Sequence, residues 1–398
     1  MKTHTVSTRD EPLHSLRLEA YTEDKRANWD AFVADHPFAG QGHISANFAL
    51  AQSHHSARNR SLMVYGQEGA LLGILPLFEV QTRVLRAIPC RELKSGVEFP
   101  AGPLIKEGIA SRRQADVLDA LSAGAAQLAK IRGIDRIVIG YPNIVGERVS
   151  IAHFGYLPLK QYGYQESNKV YYYLELHPGE EELFKALKEN CRRNIRAAIS
   201  AGARVRMLQD RGEWMDCYTH SLETFAEADL TWTQEDMAIV WDEFIAPGHA
   251  SAVAVTFRKQ IASVVVFIHV NRAGYYWIGF NRKPYLVQGA NHYALWEAIL
   301  QCKAKKLAVF EVGSKSFEGE KLKGISEFKE RFGGSPAYAL SGVLELKPVK
   351  RHLLELADLG VTRVSPYFRR TLARFQRNRR AAGETRAQMS AGATAAIR

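Results

Sequence analysis

Ile261-Ala262-Ser263-Val264-Val265-Val266-Phe267-Ile268-His269-Val270, a turn at Asn271-Arg272-Ala273-Gly274, and Tyr275-Tyr276-Trp277-Ile278-Gly279-Phe280 decide the fold. β-Branched and aromatic residues without a helical period, bounded by turn residues, predict a pair of strands. The first run is interrupted by Ser263 and His269 and is about half the length that would cross a bilayer as a helix, so no transmembrane segment is expected. Upstream, Ala252 to Phe257 and the turn Arg258-Lys259-Gln260 add a third strand. Downstream, Ala294, Leu295, Ala298, Ile299 and Cys302 fall at helical spacing within Ala290 to Ala304, and Leu307 to Gly313 reads as a further strand.

The same order of hairpin, helix and strand occurs earlier. After a helical region around Trp29 to Ser56, Ser61 to Tyr65 and Ala70 to Val80 flank the turn Gly66-Gln67-Glu68-Gly69. A Gly/Pro-rich stretch from Gly96 to Pro103 leads to a helix from Arg112 to Lys130 and a strand from Ile134 to Gly140. The pattern is a divergent repeat of a whole domain or a coincidence of ordinary α/β elements. With 398 residues, the chain exceeds one ordinary core and suits two domains of roughly 150 to 200 residues. The expected fold is α/β, with tandem domains of mixed, largely antiparallel sheets and packed helices. The expected divisions are 1–168, 169–345 and a basic tail at 346–398, with the boundary before the strand Val170 to Leu176.

A hydrophobic fraction of 46% and a charged fraction of 24% exclude a largely disordered or fibrous chain. Met1 to Ser7 has no apolar stretch behind it and reads as lacking a secretory signal. Cys90, Cys191, Cys217 and Cys302 lie far apart without C-x-x-C, as expected of reduced structural thiols in the cytoplasm. The net charge is +11, but residues 361–398 hold nine arginines against the single acid Glu384. The high pI therefore describes mainly an appendage. Within it, Ser365-Pro366 reads as a helix start, with Tyr367, Phe368, Leu372 and Phe375 as an apolar stripe between arginines and a frayed end from Ala381. Such a helix suits an anionic membrane surface, tRNA, or docking on the protein's own core. The localisation expected is cytoplasmic, with peripheral association at the inner membrane through this tail as a variant.

Gln288-Gly289-Ala290-Asn291 opens the helix that follows. Small residues there let a phosphate approach unpaired N–H groups in the field of the helix dipole, although Gly289 serves equally well as a plain turn. Glu180 to Ala201 reads as one amphipathic helix carrying Arg192 and Arg196 one turn apart, either to hold a phosphorylated substrate or as a solvated basic face. Ile325, Phe328 and Phe332 predict a short buried face that encloses Lys329, whose ammonium would stabilise oxygen charge or phosphate; the alternative is a surface lysine. Glu311, at the end of a predicted strand, is a candidate base or amine-orienting carboxylate, or a salt-bridge partner. Ser53-His54-His55 lacks a G-x-S-x-G elbow, and neither H-x-x-x-H nor C-x-x-C occurs, so no nucleophilic triad and no metal site are predicted. That favours direct transfer between two bound substrates.

The order of Cys191-Arg192-Arg193-Asn194-Ile195-Arg196 with Gly202, Gly279-Phe280, Gln288-Gly289-Ala290-Asn291, Phe310-Glu311-Val312-Gly313, Lys323-Gly324-Ile325, Phe328-Lys329 and Phe332-Gly333-Gly334 resembles the Fem-type aminoacyl- and acyltransferases of the GNAT superfamily. The resemblance spans about residues 20–345. It implies two GNAT-like domains, with the cleft built largely by the second and the first serving the acceptor or architecture. It further implies that Gln288 to Asn291 face donor phosphate, that Arg192 and Arg196 lie near a phosphorylated substrate, and that Lys329 steadies charge during transfer.

Peptidoglycan-building members often insert a helical hairpin after the basic helix, whereas here Gly202 is followed at once by a strand, Ala203 to Met207. The expected activity is therefore N-acyl transfer from acyl-CoA, used as a co-substrate with no tightly bound cofactor, to an amine on a small molecule or cell-envelope precursor. Aminoacyl-tRNA-dependent transfer and a non-enzymatic RNA- or lipid-binding role are the alternatives. Sequence leaves the oligomeric state open.

Overall fold

Alternation along two neighbouring strands explains why the deciding stretch is apolar on both faces. Val253, Val255, Val265 and Phe267 point into one buried cluster, while Ala252, Ala254, Val264 and Val266 point into another. Both faces of this sheet are covered, so neither side chain of each alternating pair is left to water. The structure, a computed structural model, describes residues 16–84, 88–227, 232–286, 288–314 and 326–347. Of the described residues, those within 16–82 and 90–346 form one unit, and apart from the ends of the fourth and fifth strands the features that follow lie in it. The tail helix, the frayed end and Lys323-Gly324-Ile325 lie outside the described residues.

In the first half, β1 (Arg17–Ala20) precedes the helices α1 (Arg26–Asp35) and α2 (Ala46–His55). The strands β2 (Leu62–Tyr65), β3 (Leu71–Leu75), β4 (Phe78–Val84) and β5 (Ile88–Lys94) lead to α3 (Ser111–Arg132) and β6 (Arg136–Gly140). The predicted strand from Ala70 to Val80 is two strands, because Pro76 and Leu77 interrupt it. Its halves join different sheets: β1, β2, β3 and Leu104–Ile105 form one of four strands, while β4, β5 and β6 belong to one of six. β5 and β6 pair in parallel through Leu93 and Ile137, joined by the crossover helix α3.

The second half repeats that crossover in a sheet of seven strands. It comprises β7 (Lys169–Glu175), the helices α4 (Glu180–Ala186) and α5 (Glu189–Ser200), β8 (Arg204–Met207), the helices α6 (Arg211–Glu227) and α7 (Gln234–Ile239), β9 (Ala250–Phe257), β10 (Gln260–Val270), β11 (Ala273–Asn281), α8 (Ala290–Ala304), β12 (Val309–Ser314) and β13 (Ser335–Ala339). The sheet order is β8-β9-β10-β11-β12-β7-β13, and β11 and β12, joined by α8, are its parallel pair. The fold is thus α/β, with a parallel strand pair and its crossover helix in each half of mixed, largely antiparallel sheets. A last strand, β14 (Ser341–Glu345), returns to the first half and pairs antiparallel with β6.

One sequence expectation fails locally. The helix predicted from Glu180 to Ala201 breaks at Leu187, which is extended (φ −62°, ψ 146°) and buried. A tertiary contact makes the break: Lys188 N–H donates to the Arg331 carbonyl at 2.9 Å, a bond that a continuous helix would not offer.

Candidate functional site

Parallel pairing of β11 with β12 joins Ala273–Tyr275 to Val309–Glu311 and goes no further. Beyond it, β11 runs on to Asn281 beside β10, while β12 continues to Ser314 beside β7. The two strands part at Tyr275 and Glu311, and of the candidate residues Glu311 and Lys329 stand at this opening.

Glu311 is 5% exposed. Its neighbours Phe310 and Val312 point into the α8-facing core, so strand alternation turns Glu311 to the opposite face. There Asn143 Nδ2 donates to Glu311 Oε2 at 2.6 Å. Burial pushes the Glu311 carboxyl up to about 7, while the Asn143 hydrogen bond and the Lys329 charge act against that rise. Tyr171 on β7 and Tyr275 on β11 both feel the Glu311 charge, and burial raises both phenols. Tyr275 Oη donates to the Ile144 carbonyl at 3.3 Å, tying the loop after Asn143 to the point of separation.

Lys329 reaches the other side of the opening from residues 326–330, a short helical turn. Its Nζ lies 5.8 Å from the centre of the Tyr276 ring and rests against Gly313, where any β-carbon would collide with it. Gly313 also has φ +110°, a conformation that only glycine adopts readily. Burial lowers the Lys329 ammonium from its usual value, and the Glu311 charge partly restores it. Phe328 and Phe332 (ring centroids 5.3 Å apart) enclose the turn together with His292, whose imidazole burial and the Arg331 charge push down to about 4. His292 is therefore neutral at ordinary pH.

Glycine 289 opens α8 in the left-handed region (φ 74°). A β-carbon there would meet the Asn194 carbonyl oxygen, so close approach of the α5 backbone already accounts for the glycine. Gly289→Val should consequently lower folded stability by about 2–6 kcal/mol, seen as a lower urea midpoint, and loss of donor affinity in that variant would not isolate a phosphate site. Gln288, Ala290 and Asn291 flank it. The N–H groups of Ala290 and Asn291 lack intrahelical acceptors by position, and Asn291 Oδ1 accepts from His292 N–H at 2.9 Å.

The two arginines have separate settings. Arg192 Nη1 donates to the carbonyls of Lys185 and Leu187, covering the end of α4. Arg196 is exposed and lies over the Phe184 ring, with 5.3 Å from its guanidinium carbon to the ring centre. Ser53, His54 and His55 are no triad: Ser53 Oγ donates to Asp236 Oδ1 at 2.6 Å, and His54 Nδ1 is 3.1 Å from Asp236 Oδ2. Serine and histidine share a carboxylate instead of one activating the other. His55 Nε2 pairs with Glu98 Oε2 at 3.0 Å, and Trp277 Nε1 donates to Glu98 Oε1 at 2.8 Å. Burial opposes ionisation of Glu98, yet these two bonds hold it below the usual carboxylate range.

A cavity of about 210 Å³ adjoins the opening, lined by Ser95, Glu98, Asn143, Lys169, Tyr171 and Ser341. Asn143 and Tyr171, which both interact with Glu311, form part of its wall, whereas a larger groove of about 520 Å³ along β8 and α8 contains none of the predicted site residues. Sequence reading missed Asn143 and Tyr171, which stand in a loop after Tyr141-Pro142 and in a tyrosine-rich strand. Among the described residues, the four cysteines are buried and form no disulfide, no cluster of His, Cys, Asp and Glu could hold a metal ion, and no helix is long and apolar enough to cross a membrane.

Residues 185–330 match the acetyltransferase (GNAT) domain family. The fold is similar to that of FemX, with a TM-score of 0.62 at 14% identity over 85% of this chain and 100% of that one. It is also similar to the C-terminal domain of a putative lysylphosphatidylglycerol synthetase from Agrobacterium fabrum, with a TM-score of 0.52 at 10% identity over 85% of this chain and 97% of that one. L-PGS from Bacillus licheniformis matches with a TM-score of 0.50 at 11% identity, over 86% and 97% of the respective chains. No curated protein matches the chain by sequence. Residues 185–330 thus carry an acetyltransferase (GNAT) domain. Over most of the chain the fold is like that of FemX.

Proposed function

We propose that the protein is an N-acyltransferase that moves an acyl group from acyl-CoA directly to the amine of a small molecule or cell-envelope precursor. The observation that carries this reading is Glu311, a buried carboxyl poised near neutrality where β11 and β12 separate. A base with a pKa near the working pH combines availability of its ionised form with strength as a proton acceptor. In the proposed step the amine lone pair attacks the thioester carbon, Glu311 takes a proton from nitrogen, and Lys329 meets the charge growing on the carbonyl oxygen. The C–N bond forms, the C–S bond breaks, and the CoA thiolate leaves.

Residues 169–345 would supply the transferase cleft, and 1–168 the acceptor side, through Asn143 and the adjoining cavity. The start of α8, at Gln288 to Asn291, would receive donor phosphate on its free N–H groups. Arg196 is the better placed of the two arginines to meet a phosphorylated substrate, since Arg192 is engaged with α4.

Native mass spectrometry of the full chain with acetyl-CoA, longer acyl-CoA and aminoacyl-tRNA tests the reading. Retention of acyl-CoA, followed by acyl transfer to an amine in a single turnover, is expected. Retention and turnover of aminoacyl-tRNA alone would replace the donor, and binding of RNA or anionic vesicles without turnover would replace the enzyme with a binding protein.

A further inference from the structure

Glu79 lies on β4 and is only 8% exposed, yet three guanidiniums converge on its carboxylate. Arg60 Nε donates to Oε2 at 3.1 Å, Arg91 Nη2 to Oε1 at 2.6 Å and Arg132 Nε to Oε2 at 3.1 Å. Burial works against ionisation of Glu79, but these bonds hold its carboxyl down to about 2. A fourth arginine, the exposed Arg58, stands directly opposite Glu79 in the strand register and so projects to the same face. Asp135 Oδ2 accepts from the Arg91 backbone N–H. Against these two acids stand the four arginines and the exposed Lys130, a surplus of three positive charges. The three guanidiniums on Glu79 keep 30–40% of their side-chain surface in solvent, and each reaches the carboxylate through one nitrogen, which leaves donors for a further anion.

At the same place α3 ends in Lys130, Ile131 and Arg132, and a β-carbon on the next residue, Gly133, would touch the Arg91 guanidinium. Cations suit the last turn of a helix because of its dipole, but that does not account for Ile131. It is 72% exposed, the most exposed large apolar side chain among the described residues. β14 ends here too, since Leu346 N–H donates to the Asp135 carbonyl at 3.0 Å. The sequence that holds the nine tail arginines therefore continues from this same end of the sheet.

We propose that this end of the first half docks on an anionic lipid surface, with Ile131 entering the interfacial layer and the cations around it holding lipid phosphates. The inference goes beyond acyl transfer and does not depend on it. Guanidiniums match phosphate oxygens with paired N–H donors, and each cation near an anionic leaflet adds to the attraction. An RNA backbone would satisfy the same cations but offers nothing to an isoleucine set among them, whereas the boundary between head groups and acyl chains takes both. One weak apolar anchor holds a membrane stably only together with a basic patch, and here the two coincide.

The full chain and its variants are floated with vesicles of phosphatidylcholine alone and of equal parts phosphatidylcholine and phosphatidylglycerol. Binding to the mixed vesicles is expected, lowered about 3- to 10-fold by Ile131→Gln and by a similar factor by each of Arg58→Gln and Lys130→Gln. All three side chains are exposed, so these variants should melt with the wild type. Insertion is read from Ile131→Cys labelled with an environment-sensitive dye, a selective site because the four native cysteines are buried. Its emission should shift to the blue on the mixed vesicles, while the same dye on Leu222→Cys, another exposed apolar position, should not move. Vesicle binding that leaves the dye at 131 silent and is unchanged in the three variants would assign the membrane to the tail and overturn the inference. Absence of vesicle binding would overturn it as well, and so would binding of tRNA in place of vesicles that Ile131→Gln leaves intact.

Discussion

Glu311→Gln is expected to slow the single-turnover acyl-transfer step by about 10²–10⁴-fold, the range for loss of a positioned general base. Glutamine keeps the shape of the side chain and an oxygen to accept the Asn143 N–H, but it cannot take a proton from an attacking amine. The pH profile identifies the role. Only the carboxylate is competent, so the wild-type rate should rise with pH through about 7, where burial places this group, and the rising limb should vanish in the variant. Stability moves the other way. The folded protein holds the proton up to about 7, whereas an unfolded chain releases it near the ordinary 4.5. The folded state therefore binds more protons across that window, and wild-type stability falls as pH rises through it. Glu311→Gln has no such fall, so its melting temperature relative to wild type should increase from pH 5 to pH 8. A variant that transfers within threefold of wild type, or retains the limb near 7, would remove Glu311 as the base.

The elements around this carboxylate are legible in sequence to different degrees, for physical reasons. β10 and β11 can be read because both faces of their sheet are covered and their ends are marked by Arg258-Lys259-Gln260 and Asn271-Arg272-Ala273-Gly274. Helix α8 is equally plain, its buried Ala294, Leu295, Ala298, Ile299 and Cys302 following helical spacing. The break between α4 and α5 is invisible, since no proline or glycine marks it and its cause is a bond to Arg331 far along the chain. Gly289 is recognisable as a helix opener, but only three dimensions show the Asn194 carbonyl pressed against it. Asn143 is silent for a similar reason: it lies 168 positions from Glu311, and its loop carries no pattern of its own. Local periodicity thus locates the strands that build the opening, while the partner that completes its carboxylate depends on the two halves folding together.

Lys329→Met should reduce the transfer step by about 10²–10³-fold, the scale of losing one donor to a developing oxyanion, while changing donor affinity by less than about threefold. Methionine retains most of the length and the apolar stem that packs by Gly313 and Tyr276, so the substitution removes charge more than volume. The ammonium is held against its own burial, which lowers its pKa, with Glu311 as the group that favours its charge. Two roles are therefore separable. If Lys329 only tunes Glu311, removing it makes the carboxylate harder to form, the rising limb shifts to higher pH, and the plateau rate above that limb is unchanged. If it meets oxygen charge in the transition state, the plateau itself drops, because ionising Glu311 fully cannot replace the missing cation. The wild type should in addition lose activity in alkali below the ordinary lysine value of 10.5, as the ammonium gives up its proton, and this falling limb should be absent from the variant. Single-turnover rates across pH 6 to 10, measured at saturating donor, decide between them: equal plateaus would confine Lys329 to adjusting its neighbour, and a depressed plateau without the alkaline fall would place its charge on the reacting oxygen.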